Sequence, residues 1–352
     1  MDGAQALARQ IASDIQTELK KPEGVQDLQA MGARLAPTFI RLLSLFPAER
    51  RDSQDPSLCR AAEQLCSLFD DGFIPFLVEN LGKVDVETRK HIVTLLSGVV
   101  PPVKKAAVAP GEVAPPPSPS TDPLTNAGVE KVIQSKEVAD LLIKAYSSSQ
   151  LSLSVGTIFR SWISDRRLAK HLLDAGHLNH FFALATDLNF DVSSDVMCTL
   201  NDLLCIHRDL AAAHIDSHYE EFFRAYDKLT ASDNYVTTRQ SLRLLSELLL
   251  DRTFVKVTLR YIGEPENLKT YMGLMRSESR AITFEAFHLF KIFAANPKPD
   301  PRVSAILAAN KDKLLKYLEN FQTDRHEDEA FAQDKATVLE RLRNLAPPAP
   351  PP

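Results

Sequence analysis

Glycine and long apolar runs are scarce in this sequence of 352 residues. Only 12 residues are glycine, and the clustered β-branched residues and turn signals that strands require are missing. No apolar run approaches the roughly 18 residues that a membrane helix needs. The start, MDGAQALARQIASDIQ, mixes charged and apolar positions instead of forming a signal-peptide core. These absences predict an all-α, cytoplasmic protein that inserts into no membrane.

Cysteine is equally sparse, and its spacing argues against disulfides. Of the four cysteines, Cys59 and Cys66 are seven residues apart in one helical segment, and Cys198 and Cys205 are seven apart in another. Each pair therefore lies on one face of its helix, and no CxxC motif is present. We predict four reduced cysteines packed in the core.

Catalytic and cofactor motifs are absent as well. The chain has no GxGxxG after a strand, no GxxxxGK[ST], no GxSxG, no HExxH and no EF-hand loop, so phosphate loops, nucleophile elbows and calcium sites have no support. His214 and His218 share a helical face but lack a third ligand, and we assign them, with His177 and His180, to surface or capping roles. We expect no catalytic residue, no metal and no cofactor.

The net charge argues against one class of partner, nucleic acids. The formal net charge is -5 at pH 7. Domains that bind nucleic acids usually carry net positive charge, so we expect no nucleic-acid partner. Local basic surfaces remain compatible with this balance.

Helical periodicity dominates the rest of the sequence. Apolar residues recur every three or four positions through most of 1–100 and again from Asn126 to about Asn344. Between them, residues 101–123 contain 8 of the 22 prolines and almost no bulky apolar group, which is typical of a flexible insertion. We therefore predict N-terminal helical repeats over 1–100, a Pro-rich insertion over 101–125, C-terminal repeats continuous with the same solenoid over 126–345, and a Pro-rich tail over 346–352.

Apolar residue pairs mark a repeat of roughly 40 to 50 residues. These pairs open helices at Phe181-Phe182, Phe222-Phe223, Tyr271-Met272 and Leu314-Leu315. Armadillo and HEAT units of two or three helices have this length, and each unit buries its apolar face only by stacking on the next. The sequence therefore predicts an armadillo/HEAT-like helical-repeat solenoid, shaped as a curved rod or horseshoe.

The organising stretch is residues 233–297, which reads as four amphipathic helices. In the first of them an apolar stripe recurs at helical spacing, formed by Leu242, Leu244, Leu245, Leu248 and Leu249. Tyr235, Arg239 and Arg243 recur every fourth residue on another face. We name these three residues the Tyr-Arg-Arg ridge and expect it to be a functional surface, because packing alone does not require it.

Two neighbouring features support a binding surface. Phe190 lies in the polar turn DLNFDVSSD that opens a long helix, where burial is not assured. Lys269 and Met272 are three residues apart on one helix face, which places a cation beside a flexible apolar side chain. Aromatic residues, arginine and methionine are enriched in interface centres.

Two further features are predicted to be structural. Trp162 lies among apolar residues in IFRSWISDRR, and we expect it in the core. The acidic segment 324–329, DRHEDE, precedes a helix, where carboxylates favour the positive end of the helix dipole.

A family resemblance rests on several long motifs in order: NYVTTRQSLRLLSELLLDR, PENLK, SRAITFEAFHLFKIFAANP and FQTDRHEDEAF. They resemble the Mo-twenty-five family, also called the calcium-binding protein thirty-nine family. The resemblance is strong over 181–345, weaker back to Asn126 and only architectural before residue 101. It implies a non-catalytic, horseshoe-shaped scaffold that activates sterile-twenty-type kinases, including the pseudokinase STRAD. With STRAD, such a scaffold supports the liver kinase B-one complex. In fungi, related proteins act in signalling through NDR-type kinases.

The resemblance also implies two sets of binding residues. Phe190, Tyr235 and Arg239 match family positions that contact the kinase domain, and Arg243 stands where the family has a lysine. Lys269 and Met272 match a pocket that receives a partner's Trp-Glu-Phe tail. A further lysine of that pocket falls at Ala309, and a phenylalanine after the LLLDR motif falls at Val255, with Phe254 just before it.

Two other function classes stay open on the sequence alone. An armadillo-type adaptor for transport or cytoskeletal cargo would bind partners without activating a kinase. A hydrolase would need converging titratable groups in a polar, concave site, and the sequence offers no candidate for one.

Overall fold

A computed structural model describes residues 3–20, 28–46, 56–100, 122–323 and 328–345. Within them the chain forms twenty α-helices, two short 3-10 helices and no strand, which confirms the all-α prediction. The helices are α1 (Gly3–Leu19), α2 (Leu28–Leu43), α3 (Pro56–Asp70), α4 (Phe73–Glu79), α5 (Val86–Ser97), α6 (Pro123–Gln134), α7 (Lys136–Tyr146), α8 (Ser152–Ile163), α9 (Arg166–Asp174), α10 (His177–Ala185), α11 (Phe190–Cys205), α12 (Arg208–Ser217), α13 (Tyr219–Thr230), α14 (Tyr235–Leu250), α15 (Val255–Ile262), α16 (Pro265–Leu274), α17 (Arg280–Ala294), α18 (Pro301–Ala309), α19 (Lys311–Glu319) and α20 (Glu329–Arg343). The four helices predicted within 233–297 are α14 to α17.

The helices stack in rows within two compact units, 1–211 and 212–352. In the first unit α2, α5, α8 and α11 pack on one another in that order, and α3, α6 and α9 form a second row. In the second unit α14, α17 and α20 form such a row. Each helix therefore buries its apolar face against the equivalent helix of the next repeat, which is the helical-repeat architecture that the spacing of the apolar pairs predicts.

Three helix starts show the repeat at the level of single residues. Asn189, Asn234 and Ser279 follow one another at intervals of 45 residues and are the N-caps of α11, α14 and α17. Each side chain accepts at least one hydrogen bond from a backbone N–H group of the first turn, and these groups otherwise have no partner within the helix. The caps fix the start of each long helix and so decide which side chain stands first on it.

The core of the first unit holds Trp162 as predicted, fully buried, with its indole N–H donating to the carbonyl of Leu96 at 2.9 Å. The Tyr146 hydroxyl at the end of α7 donates to the carboxylate of Asp195 on α11 at 2.7 Å, and Arg160 of α8 donates to the same carboxylate at 3.1 Å. Burial raises the pKa of Tyr146 well above its ordinary value, which keeps the hydroxyl a donor. This network joins neighbouring repeats by polar contacts.

The predicted boundaries around the insertion shift slightly. Helix α6 begins at Pro123, not at Asn126, because Asp122 caps it and proline suits the first helical position. Residues 101–121 and 346–352, which hold most of the insertion and the tail, lie outside the described residues.

The acidic segment before the last helix is described only in part. Residues 324–327 lie outside the described residues. Asp328 caps α20 and Glu329 lies in its first turn, as expected for carboxylates at a helix start.

The prediction that the four cysteines pack in the core is wrong. None of the four, all of them in the described part of the chain, forms a disulfide, but Cys59 and Cys198 are exposed and Cys66 and Cys205 are half-buried. Spacing by seven residues identifies a shared helix face, but it does not tell which face is buried.

The histidine assignments need one correction. His180 and His218 are exposed as predicted, and the rings of His214 and His218 stack with centroids 4.5 Å apart. His177, however, is buried at the start of α10, where loss of solvation lowers its pKa. A surface or capping role is therefore wrong for His177.

Candidate functional site

The Tyr-Arg-Arg ridge lies on the exposed side of α14. The leucines of its apolar stripe are buried, as predicted, whereas Tyr235 is 47% exposed and Arg239 is 49% exposed along its side chain. Arg243 is exposed as well. One helix therefore packs the protein with one face and offers an aromatic ring and two guanidinium groups on the other.

A groove of about 420 Å³ runs beside the two arginines, between α14 and α17. The Arg239 Nε atom lies 3.6 Å from Oε1 of Glu285, a buried carboxylate on α17. This distance is an ion-pair contact but too long for a good hydrogen bond. Arg243 pairs with no carboxylate among the described residues, so its charge is available to a partner.

Two apolar residues extend this groove, and the sequence interpretation missed both. Leu250 is exposed at the end of α14 and lines the groove, and Phe284 lines it from α17. Leu250 is the last of the three leucines in LLLDR, and the sequence pattern resembles that of a core residue. Its position seven residues after Arg243 is the signal that places it on the ridge side. The groove therefore combines cations with apolar contact area, the composition of many interface centres.

Phe190 has the same position on its helix as Tyr235, but it belongs to the first unit. It is the first residue of α11, after the cap Asn189, just as Tyr235 follows the cap Asn234 on α14. Its side chain is 56% exposed, and Leu188 beside it is fully exposed. The expectation that Phe190 escapes burial is correct, and Leu188 is a further exposed apolar residue that the sequence interpretation did not single out.

The residues matched to the tail pocket line one cavity of about 900 Å³ in the second unit, which we name the Met272 cavity. Lys269 and Met272 of α16, Ala309 of α18 and Leu314 of α19 all lie on its wall. Lys269 also pairs with Glu266, one turn earlier, at 2.6 Å between Nζ and Oε1. The structure therefore brings together three helices whose common cavity no single helical pattern reveals.

The two departures from the family pattern have different structural consequences. Phe254 is only 1% exposed and packs in the core, whereas Val255 is 53% exposed. Phe254 therefore cannot present its ring where the resemblance implies a phenylalanine. Ala309 leaves the wall of the Met272 cavity without a cation at that position, although Lys313, on the next helix, lines the same cavity.

Tyr317 positions the wall between α16 and α19. Its hydroxyl donates to the backbone carbonyl of Met275, and burial raises its pKa. The neutral hydroxyl holds α19 against the end of α16, and this contact shapes the Met272 cavity.

Among the described residues, no group of three or more histidine, cysteine, aspartate or glutamate side chains is arranged to hold a metal ion. Across the described ranges no helix has both the length and the apolar character needed to span a bilayer.

Comparison with known proteins gives matches along almost the whole chain. Residues 5–346 match the family described as Mo25-like. The chain is 32% identical over 337 residues to human calcium-binding protein 39-like, covering 96% of this chain and 91% of that relative. It is 36% identical over 299 residues to the degreening-related gene dee76 protein of Auxenochlorella protothecoides, with 85% and 87% covered. It is 39% identical over 217 residues to the Mo25-like protein of Schizosaccharomyces pombe, with 62% and 66% covered.

Proposed function

The chain belongs to the Mo25-like family, and we propose that it is a non-catalytic scaffold that binds a sterile-twenty-type kinase or STRAD-like pseudokinase and activates it. Family membership supports a scaffold-type protein and confirms the resemblance stated from the motifs. The match begins at residue 5, so it includes the part before residue 101 where the resemblance was only architectural. A liver kinase B-one-like or NDR-type kinase would act in the same assembly, in the cytoplasm.

The exposed Tyr-Arg-Arg ridge is the observation that carries this proposal. Exposed charges contribute little to the stability of a fold, so stability alone does not account for two arginines and a tyrosine lined up beside a groove. Interface centres are enriched in these residue types. A kinase domain that presents carboxylates and an apolar patch would complement Arg243, Tyr235 and the apolar end of the groove.

Activation by such a scaffold requires no chemistry. A ligand shifts a conformational equilibrium only by its differential affinity for the two states. Moving a kinase from about 1% to about 99% active needs binding to the active state that is roughly 10⁴-fold tighter. The scaffold therefore has to contact surfaces of the kinase that exist only in its closed arrangement.

The Met272 cavity supports a second contact with the same partner. We assign it to the partner's tail peptide, whose Trp-Glu-Phe sequence combines two aromatic side chains with one side-chain carboxylate. The cavity offers apolar wall at Met272 and Leu314 and a cation at Lys269. Two linked contacts raise the overall affinity because the second one forms at high effective concentration.

The proposal is tested by Arg239→Ala and Arg243→Ala at equal folded concentration. We expect each variant to bind a STRAD-like pseudokinase about tenfold more weakly, and to activate the partner kinase less, because each change removes a charge-assisted contact. Arg224→Ala is the matched control, since Arg224 is an exposed arginine on α13 away from the groove.

Three outcomes separate the alternatives. Unchanged binding and activation by both ridge variants would contradict the assignment of the ridge. Binding of the kinase without any activation would favour an adaptor. For the cavity, titration with a Trp-Glu-Phe peptide that shows no Met272-dependent binding at millimolar concentration would remove the tail contact.

A further inference from the structure

A second cavity, of about 890 Å³, adjoins the Met272 cavity in the second unit. Lys313 and Tyr317 line both cavities, so the two meet at α19. The second one is lined by Arg280 at the start of α17 and by Lys316 on α19, in addition to Lys313. We name it the basic cavity, because the described residues of its wall include three cationic side chains and no carboxylate.

Two of these cations have no carboxylate partner among the described residues. Lys313 and Lys316 are both exposed on α19 and neither pairs with an aspartate or glutamate in the described part of the chain. Around them Ser277, Thr283 and Asn320 offer hydrogen-bonding groups. Such a wall suits carboxylates that arrive from another molecule.

Gln322 gives an independent sign of a polar ligand. Its side chain is 9% exposed, and its amide N–H donates to the carbonyl of Arg280 at 2.8 Å. The amide oxygen is buried and has no hydrogen-bond partner among the described residues. The backbone of Gln322 has a φ of 44°, in the left-handed region that a residue with a side chain seldom adopts. A buried acceptor without a donor costs free energy unless a ligand supplies an N–H group, and the backbone of a bound peptide supplies one.

We propose that the basic cavity binds an acidic segment of the partner tail, immediately N-terminal to the residues that enter the Met272 cavity. This inference rests on the proposed function, because it takes the peptide in the Met272 cavity as its starting point. Lys313 stands at the junction and therefore contacts both parts of the peptide. The acidic segment adds charge-assisted contacts that the Met272 cavity alone lacks at Ala309.

The test compares three peptides on the full chain by calorimetry or fluorescence anisotropy. One ends in Trp-Glu-Phe alone, one carries three glutamates directly before this sequence, and one carries three glutamines there. We expect the glutamate peptide to bind about tenfold more tightly than the other two at about 0.05 M salt. Most of that gain is expected to disappear at about 0.5 M salt, where exposed charges are screened.

Lys316→Glu is the decisive variant because Lys316 lines the basic cavity and not the Met272 cavity. We expect it to cancel the gain from the glutamates and to leave binding of the glutamine peptide unchanged. Lys298→Glu is the matched control: Lys298 is exposed, lines neither cavity and undergoes the same change of charge. It is expected to keep the gain.

The outcomes distinguish this inference from the proposed function. Equal binding of the glutamate and glutamine peptides overturns the inference and leaves the tail contact intact. If the Trp-Glu-Phe peptide does not bind, the proposed tail contact is wrong. If neither extended peptide binds at millimolar concentration either, the inference is wrong as well. A triglutamate peptide without Trp-Glu-Phe that binds as tightly as the extended peptide would identify a general polyanion site and would also overturn the inference.

Discussion

The Tyr-Arg-Arg ridge and the Met272 cavity lie in the same unit but are built in opposite ways. The ridge is one face of one helix, α14, held in place by the cap Asn234 and the buried leucines behind it. The cavity takes its wall from α16, α18 and α19, whose lining residues span 269 to 317. A surface on one helix depends on local sequence, whereas a cavity between helices depends on how distant segments pack.

This difference explains how each surface tolerates substitution. At Arg243, where the resemblance implies a lysine, the residue is another cation, so the ridge keeps its charge. At Ala309 the lysine that the resemblance implies is missing, and the wall has its cations at Lys269, Arg276 and Lys313. We therefore expect binding through the ridge to be strong and binding of the tail peptide to depend on the remaining lysines.

The largest expected effect comes from reversing both charges of the ridge. The double variant Arg239→Glu, Arg243→Glu is expected to weaken binding of a STRAD-like pseudokinase by at least about 100-fold, because like charges then face each other across the interface. The same variant is expected to bind the Trp-Glu-Phe peptide normally. Pull-down or calorimetry with both probes measures the two surfaces separately.

The control for this change is Arg224→Glu, together with a thermal unfolding curve. Arg239→Glu places a second carboxylate beside Glu285, and repulsion between the two lowers the stability of the fold. The unfolding curve measures this loss, and binding is compared at equal concentrations of folded protein. Loss of peptide binding in the double variant would show that the ridge and the cavity are not independent.

The next effect concerns the cavity alone. Met272→Asp is expected to weaken binding of the Trp-Glu-Phe peptide by about 30-fold, because a charged group then replaces the apolar side chain under the aromatic rings and loses its hydration when the peptide covers it. Met272→Leu preserves volume and is expected to bind within about threefold of the unaltered chain. A kinase domain that lacks its tail should bind both variants equally, and unequal binding would contradict the separation of the two surfaces.

The sequence predicts the parts of the site that one helix determines. The periodicity of α14 predicts both the buried leucines and the exposed ridge, and it even contains the signal for Leu250. It does not predict that Phe254 is buried while Val255 is exposed, because a short 3-10 helix (Arg252–Phe254) breaks the helical period there. The spacing of Cys59 and Cys66 likewise predicts a shared face but not its burial, since burial is decided by the packing of neighbouring repeats.

A smaller effect, of opposite sign, is expected from restoring the missing cation. Ala309→Lys should tighten binding of the Trp-Glu-Phe peptide by about threefold to fivefold, because it adds a lysine to the wall that faces the peptide carboxylate. Ala309→Met has a similar length without charge and controls for added apolar contact. If both variants bind the peptide equally tightly, apolar packing and not charge limits the affinity of the cavity. The missing cation at position 309 would then not explain weak binding of the tail.

The smallest expected effect tests where the ridge surface ends. Leu250 is exposed, so Leu250→Ser should change the free energy of unfolding by less than about 0.5 kcal/mol. If the kinase covers the whole groove, the loss of this apolar contact should weaken pseudokinase binding by about threefold and leave binding of the Trp-Glu-Phe peptide unchanged. Leu259→Ser, at an exposed leucine on α15 outside the groove, is the matched control. Equal affinities for the two variants would mean that the kinase contact on α14 ends before Leu250 and does not cover the apolar end of the groove.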